Sequence, residues 1–309
     1  MRISSRQIVD NVLVNLQRNY ARLDRLQNHL SAGKEVIFPS DNPASATTAM
    51  RLHSAVLENQ QYLKNAQSAV GWLEATDSAL QDMAATLHRA RELTIQGARG
   101  DLPDDDREAL AREMDQLLRH AVQVANTTHG GRYVFGGTAT QATPYAISGT
   151  DADGYVTEVS FSGNPDPFSY EVGAGVTQEV NISGASAFGH DGIPGPITTG
   201  LFATLSRIRG DLSTGNVAQL SGQDLTDLDN ALDDVLQALD RVGARQAGFE
   251  LIVQRLQGQE VNLRDLLSKA EDLDVPRAIM ELKMQENVYR LALASGARII
   301  QPTLLDFLR

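Results

Sequence analysis

Cysteine is absent from the 309-residue chain. That excludes disulfide staples, thiol nucleophiles and thiolate metal sites. Aromatics are scarce, at 5% of residues with Trp72 the single tryptophan. A compact enzyme core usually carries more of them, whereas long helices packed through Leu, Ala and Val need few. Basic charge is in deficit: the net charge is −12 and the pI near 4.9. The broad basic face of a nucleic-acid binder is therefore not expected. Long apolar runs are missing too. No stretch of about 18 apolar residues exists, so no helix is expected to insert in a membrane. The start, MRISSRQIVDNVL, lacks the apolar stretch of a secretory signal, which implies that any export uses a route reading no cleaved signal.

What the chain does contain is helical periodicity. Val9, Val12, Leu16, Asn19, Leu23, Leu26 and Leu30 alternate spacings of three and four, the seam of a helix that packs along another helix. Gly33 reads as its C-cap. The stretch IFPSDNPASA then forbids a continuous helix. Pro39 and Pro43 interrupt it, and Ser40, Asp41 and Asn42 are turn and N-cap types. A second helix is expected from about Ala44 to Ala98, roughly 80 Å long at 1.5 Å per residue. GARGDLPDDD breaks it, and Asp104, Asp105 and Asp106 suit the start of a third helix that ends near His129-Gly130-Gly131.

From Arg132 to about Pro196 the chain turns rich in Gly, Ser, Thr and Pro, with short alternating runs. Tyr155, Thr157, Val159 and Phe161 are expected on one face of a strand, after an Asp153-Gly154 hairpin turn, and VTQEVNI reads as another strand. Helices resume near Leu201. A second very long one starts near Asp224, and a final amphipathic one runs from about Val275 through Ile279, Leu282, Met284, Val288, Leu291 and Ala294.

This order predicts a mainly α fold with a β insert: a long antiparallel helical rod, a coiled-coil-like bundle of N- and C-terminal helices, with a small β domain at its tip. The expected divisions are 1–39, an N-terminal helix; 40–131, the first half of a helical core; 132–198, the β domain; 199–272, the second half of the core; and 273–309, a C-terminal helix. Such terminal helices bury only narrow seams, so neighbouring subunits are expected to supply the rest. Val9, Val12, Leu16, Leu23, Leu26 and Leu30, with Ile279, Leu282, Val288 and Leu291, form the expected assembly interface. Residues 1–38 carry six basic and three acidic groups, so the remaining residues account for −15.

Motifs with chemistry fail on inspection. Ser31-Ala-Gly-Lys34 and Ser40-Asp41-Asn42 fit two signatures of penicillin-recognising serine enzymes, but no lysine begins Lys-Thr-Gly and the two motifs nearly touch in sequence. Asp151-Ala-Asp153-Gly154 starts like a calcium loop, yet its glycine and closing residue are misplaced, so a hairpin turn is the plainer reading. The six histidines are scattered without ligand spacing. No catalytic residue, cofactor or metal is expected, and the protein reads as no enzyme.

Several stretches carry a family likeness. LSAGKEVIFPSDNPASATTAM resembles the N-terminal signature of the bacterial flagellin family, and Pro39-Ser40-Asp41-Asn42-Pro43 resembles its hook-associated branch. DDDREALAREMDQLLRHAVQVANTT is similar to the family's second helical motif, and GGRYVFGGTATQATPY to the aromatic-glycine strand of that branch. The segment from Gly243 to Leu308 resembles the family's closing helices, with Pro276 as a departure that implies a kink or restart and Pro302 as one in the final turn. The resemblance implies a structural subunit of the extracellular flagellum, exported unfolded, that joins the hook to the filament. Its implied partners are further copies of itself in a ring or tubular layer, the first hook-associated protein, flagellin and a flagellar export chaperone. A filament flagellin and an unrelated secreted coiled-coil interaction protein remain as alternative readings.

Overall fold

The computed structural model describes residues 5–300, with side chains at residue 7 and from 10 to 297. In chain order it contains helices α1 (Ser5–Ala32), α2 (Pro43–Gly97) and α3 (Asp104–Ala125), then short strands β1 (Thr128–His129) and β2 (Arg132–Tyr133). β3 (Tyr145–Thr150), β4 (Val156–Phe161), β5 (Ser169–Gly173) and β6 (Val176–Glu179) follow, with helix α4 (Gly184–Phe188) and strand β7 (Gly195–Pro196). The chain returns to helix in α5 (Gly200–Thr214), α6 (Val217–Ser221), α7 (Gln223–Glu271) and α8 (Val275–Ile300). The fold is thus mainly helical with a small strand insert. Residues 1–58 with 259–309 form one compact unit and residues 59–258 a second. The division falls inside α2 and α7, not at the turns where the sequence places its boundaries.

The helix ends follow from local chemistry. α1 stops where Gly33 takes a left-handed φ of 68°, a conformation open to glycine without a Cβ penalty. α2 opens on Pro43, whose missing N–H costs nothing in the first turn. Three aspartates occupy the first turn of α3, where the helix dipole favours negative charge. Pro276 sits in the first turn of α8 after a break at residues 272–274, so the expected restart is what occurs. α3 ends at Ala125, four residues before the expected stop. Gly130 and Gly131, both at positive φ, instead turn a tight β1–β2 hairpin.

In the second unit the apolar stripe of α2 (Leu73, Leu80, Leu87, Leu93) is fully buried in one core. Met114 and Leu118 of α3, Leu205 and Ile208 of α5, and Val235, Val242 and Phe249 of α7 share it. The strands stack on this helical layer. β3 and β4 pair antiparallel with Tyr145 opposite Phe161, β7 adds to β4, and β5 and β6 form a separate hairpin. The β4 face differs from the alternation expected. A bulge in the β3–β4 ladder pairs Gly149 with Glu158 and Thr150 with Val156, skipping Thr157. Val156, Val159 and Phe161 therefore face the core, Thr157 faces out, and Tyr155 precedes the strand. One extra residue on a bulged strand reverses the side-chain alternation beyond it.

Polar contacts latch this hairpin onto the helices. The Asp115 carboxylate, buried in α3, accepts the Val156 N–H at 2.7 Å and pairs with Arg119 at 2.7 Å. Asp151 accepts the Tyr155 and Asp153 amides through one oxygen and Arg209 at 2.9 Å through the other. Both oxygens of the calcium-like loop's first aspartate are thus engaged in holding a turn.

Candidate assembly surface

In the first unit α1 packs along α8. Asn19 meets Gln285, Tyr20 meets Tyr289, and Val12 and Leu16 meet Gly296, so the two helices run antiparallel. The α1 heptad behaves as a seam. Val12, Leu16, Asn19, Leu23, Leu26 and Leu30 are half-buried, and the residues on the opposite face are exposed. Val9 belongs to the same expected series, but its side chain lies outside the described residues. The partner stripe on α8 is Ala278, Leu282, Gln285, Tyr289, Ala292 and Gly296, all buried or half-buried. Its small residues, Ala278, Ala292 and Gly296, let the backbones come close. A Cβ added at Gly296 would stand 3.1 Å from Val12 Cγ1.

This pairing divides the sequence-predicted interface into two kinds of residue. Val12, Leu16, Leu23, Leu26 and Leu30 share part of their surface with the chain's own α8, as does Leu282 with α1. Ile279, Val288 and Leu291 do not, and Leu291 is 70% exposed. They lie with Met280 (67%) and Met284 on the outer side of α8. Met280, Met284, Val288 and Leu291, spaced by four, four and three, share one helical face. On α1, Leu13, Val14 and Tyr20 are also exposed. The unit therefore carries apolar helix faces that its own fold leaves open, a condition that marks an interaction surface.

The turn between α1 and α2 is held firmly. The Asp41 carboxylate accepts the Phe38 N–H at 2.9 Å and the Ile37 N–H at 3.2 Å. The Phe38 amide bond is the main cause that holds Asp41 below its usual pKa. Burial opposes it, and the Ile37 amide, His29 and Arg25 add to it. Asn42 caps α2 by accepting the Ser45 N–H at 3.2 Å. Pro39 and Ser40 are exposed between these anchors, and Pro43 starts the helix. All five residues of the proline-flanked motif thus shape one rigid turn.

A second anchor joins this turn to the α7–α8 turn and has no local signature in the sequence. The Glu35 N–H donates to the Glu271 carbonyl at 2.7 Å, and the Leu273 N–H to the Gly33 carbonyl at 3.1 Å. The Glu271 carboxylate pairs with Lys34 Nζ at 2.9 Å and with His53 Nε2 at 3.0 Å. Burial would raise the Glu271 pKa, but the bonds to Lys34 and His53 outweigh it and hold the group below its usual value. His53 and Glu271 are 218 residues apart, a separation that no spacing rule spans. Lys34, the lysine of the serine-enzyme-like motif, is thus committed to an ion pair.

Among the described residues no group of three or more His, Asp or Glu could hold a metal. No helix there is long and apolar enough to cross a membrane. What the first unit offers is packing surface and rigid turns.

Residues 3–140 match the bacterial flagellin N-terminal helical region. That match is a likeness over the N-terminal part of the chain. Flagellar hook-associated protein 3 of Salmonella typhimurium is 32% identical over 146 residues, 47% of this chain and 46% of that protein. The chain thus matches about half the length of this hook-associated relative. A flagellin of Listeria innocua is 24% identical over 271 residues, 86% of this chain and 84% of that one. The crystal structure of flagellar hook-associated protein 3 from Legionella pneumophila superposes with a TM-score of 0.61. That superposition covers 71% of this chain and 98% of that one at 17% identity, and the likeness carries the fold. These relatives are structural proteins of the flagellum, not enzymes. In flagellin-family terms, the proline-flanked turn and α1 to α3 lie within the matched region, while α7 and α8 lie beyond it.

Proposed function

We propose that this chain is a structural subunit of the extracellular bacterial flagellum that joins the hook to the filament. It would form a layer with further copies of itself, seated on the first hook-associated protein and capped by flagellin. The likeness to hook-associated protein 3 supports the place in the flagellum. The observation that carries the mechanism is the open apolar face of α8 (Met280, Met284, Val288, Leu291), together with Leu13 and Tyr20 of α1. In solution these faces cost free energy at about 25 cal/mol per Å² of apolar surface, and packing against neighbouring copies removes that cost. The chain's own seam (Val12, Leu16, Leu23, Leu26, Leu30 and Leu282) prepares the helix pair, and Ile279, Val288 and Leu291 join it to the next copy. No reaction is involved. Before assembly such faces need shielding, which suits an export chaperone, and the unfolded chain would leave the cell without a cleaved signal.

The Listeria flagellin likeness over most of the chain supports a second reading, a filament subunit. One experiment separates the two. Purified protein is added to isolated hooks that bear the first hook-associated protein, and the ends are viewed by electron microscopy. A short layer that stops growing and then accepts flagellin is the expected result. Long self-polymers would favour the filament reading, and no binding would overturn both.

A further inference from the structure

We infer that Asp191-Gly192 is a site of self-modification: the Gly192 amide nitrogen closes on the Asp191 carboxyl carbon, with His190 as the base, and the ring reopens as isoaspartate. Asp-Gly occurs twice in the chain, at Asp153-Gly154 and at Asp191-Gly192. Glycine after aspartate leaves the amide nitrogen unshielded by a Cβ, so the sequence alone offers both pairs equally. Exposure favours the first, whose two residues lie in the open turn before β4, whereas Gly192 is buried. The hydrogen bonds reverse that order. The Gly154 N–H donates at 3.1 Å to the Asp151 carbonyl, which is no base. The Gly192 N–H donates instead to His190 Nδ1 at 3.1 Å, within the reach of about 2.6–3.2 Å that general base catalysis requires. A nitrogen that accepts an amide N–H carries no proton itself, so the ring hydrogen is on Nε2, 2.8 Å from the Tyr145 hydroxyl. Burial lowers the His190 pKa to about 4, which keeps the Nδ1 lone pair free in neutral and mildly acidic solution.

The carboxyl is placed as well. Asp191 is exposed, and its Oδ1 accepts the Ile193 N–H at 3.2 Å. This Asx turn closes a hydrogen-bonded ring of which the Gly192 nitrogen is a member, and so folds the carboxyl back beside it. Packing demands the glycine: its φ is 71°, and a Cβ there would stand 3.0 Å from the Ala185 Cβ. In the reaction Nδ1 takes the amide proton as the nitrogen bonds to Cγ of the protonated carboxyl. The tetrahedral carbon then expels its hydroxyl, which leaves as water with the proton that His190 held. An N–Cγ bond has replaced a Cγ–O bond, and His190 is neutral again. Water next opens the succinimide. Attack at Cγ restores aspartate. Attack at the Asp191 backbone carbonyl gives isoaspartate, which lengthens the turn between α4 and β7 by one backbone carbon.

The second Asp-Gly pair is the internal control. Full-length wild type and His190→Gln are incubated folded in heavy-oxygen water, digested, and mapped by mass spectrometry with fragmentation that separates aspartate from isoaspartate. Each ring opening adds one labelled oxygen, so label counts ring closures at either pair. The expected result is label and isoaspartate at Asp191 at about ten times the Asp153 rate, a modest gain because burial makes His190 a weak base. His190→Gln, whose side-chain carbonyl can still accept the Gly192 N–H, should bring Asp191 to the Asp153 rate. In denaturant the two pairs should react alike in both proteins, because the placement is gone. Equal rates in the folded wild type, or a lead at Asp153, overturn the inference. So does an excess that survives in denaturant, which would belong to the local sequence. An excess that folded His190→Gln keeps also overturns it, by assigning the effect to the turn and not to the base. Circular dichroism checks that this variant folds; if it does not, the two wild-type comparisons decide.

Discussion

At the scale of single residues, buried polar groups set how the chain responds to acid. His190 is 8% exposed against Phe161 and Tyr145, with Nε2 2.8 Å from the Tyr145 hydroxyl and Nδ1 accepting the Gly192 N–H. Burial lowers its pKa from 6.5 to about 4, against a small opposing pull from Asp191. The unfolded chain therefore takes up a proton between pH 6.5 and 4 that the folded chain refuses. Stability falls as the pH drops through that window, by up to about 3 kcal/mol once it is below 4. Thermal melts of the wild type should lose midpoint between pH 6.5 and 4, and a His190→Gln variant should lose clearly less. Glu271 has the opposite sign. Its depressed pKa means that its contribution is present above the ordinary carboxylate range and is lost as the pH falls through its folded value. Replacing it with alanine should cost only roughly 1 kcal/mol, since Lys34 and His53 can turn to water. Hydrogen exchange should nonetheless show faster exchange at the Glu35 and Leu273 amides, which depend on the register that Glu271 fixes. Unchanged exchange there would mean that the backbone ladder holds without the carboxylate.

At the scale of elements, much was legible in the sequence because punctuation is local. Gly33, Pro43, Pro103 and the aspartates after it mark helix ends through their own backbone and charge preferences, and α1, α2, α7 and α8 lie where the periodicity puts them. The β4 face was not legible. The bulge opposite Gly149 depends on pairing with another strand, and alternation within one strand carries no trace of it. The α8 face was legible only in part. Of the predicted Ile279, Leu282, Val288 and Leu291, Leu282 alone lies on the stripe that meets α1, with Ala278, Gln285, Tyr289, Ala292 and Gly296. Close approach at Gly296, where an added Cβ would stand 3.1 Å from Val12 Cγ1, sets that stripe apart from the outer face. Gly296→Leu should therefore wedge α1 from α8 and destabilise that pair by about 1–3 kcal/mol, as overpacking does. The melting of the second unit should stay unchanged. Gly296→Ala should be tolerated after a small shift of Val12. Calorimetry with a helix-specific probe in the first unit would distinguish the two; an equal loss for both variants would argue against the close approach.

At the scale of the whole molecule, the two units have different kinds of sufficiency. The unit of residues 59–258 holds a continuous core of leucines, alanines and aromatics. The unit formed by the two chain ends holds a seam of half-buried residues and leaves large apolar side chains in water. Under the proposed function, a chain built this way would bury these open faces by joining copies of itself, and that is the central claim. Two substitutions divide it most directly. Leu23→Asp charges the inner seam and should weaken the α1–α8 pair even in the free chain. Leu291→Asp charges a residue that touches little within the chain. The measurement is the addition of purified Leu291→Asp protein to hook ends bearing the first hook-associated protein, with circular dichroism and melting of the free protein in parallel. The account expects wild-type helicity and melting together with loss of the added layer. A normal layer from Leu291→Asp would contradict it.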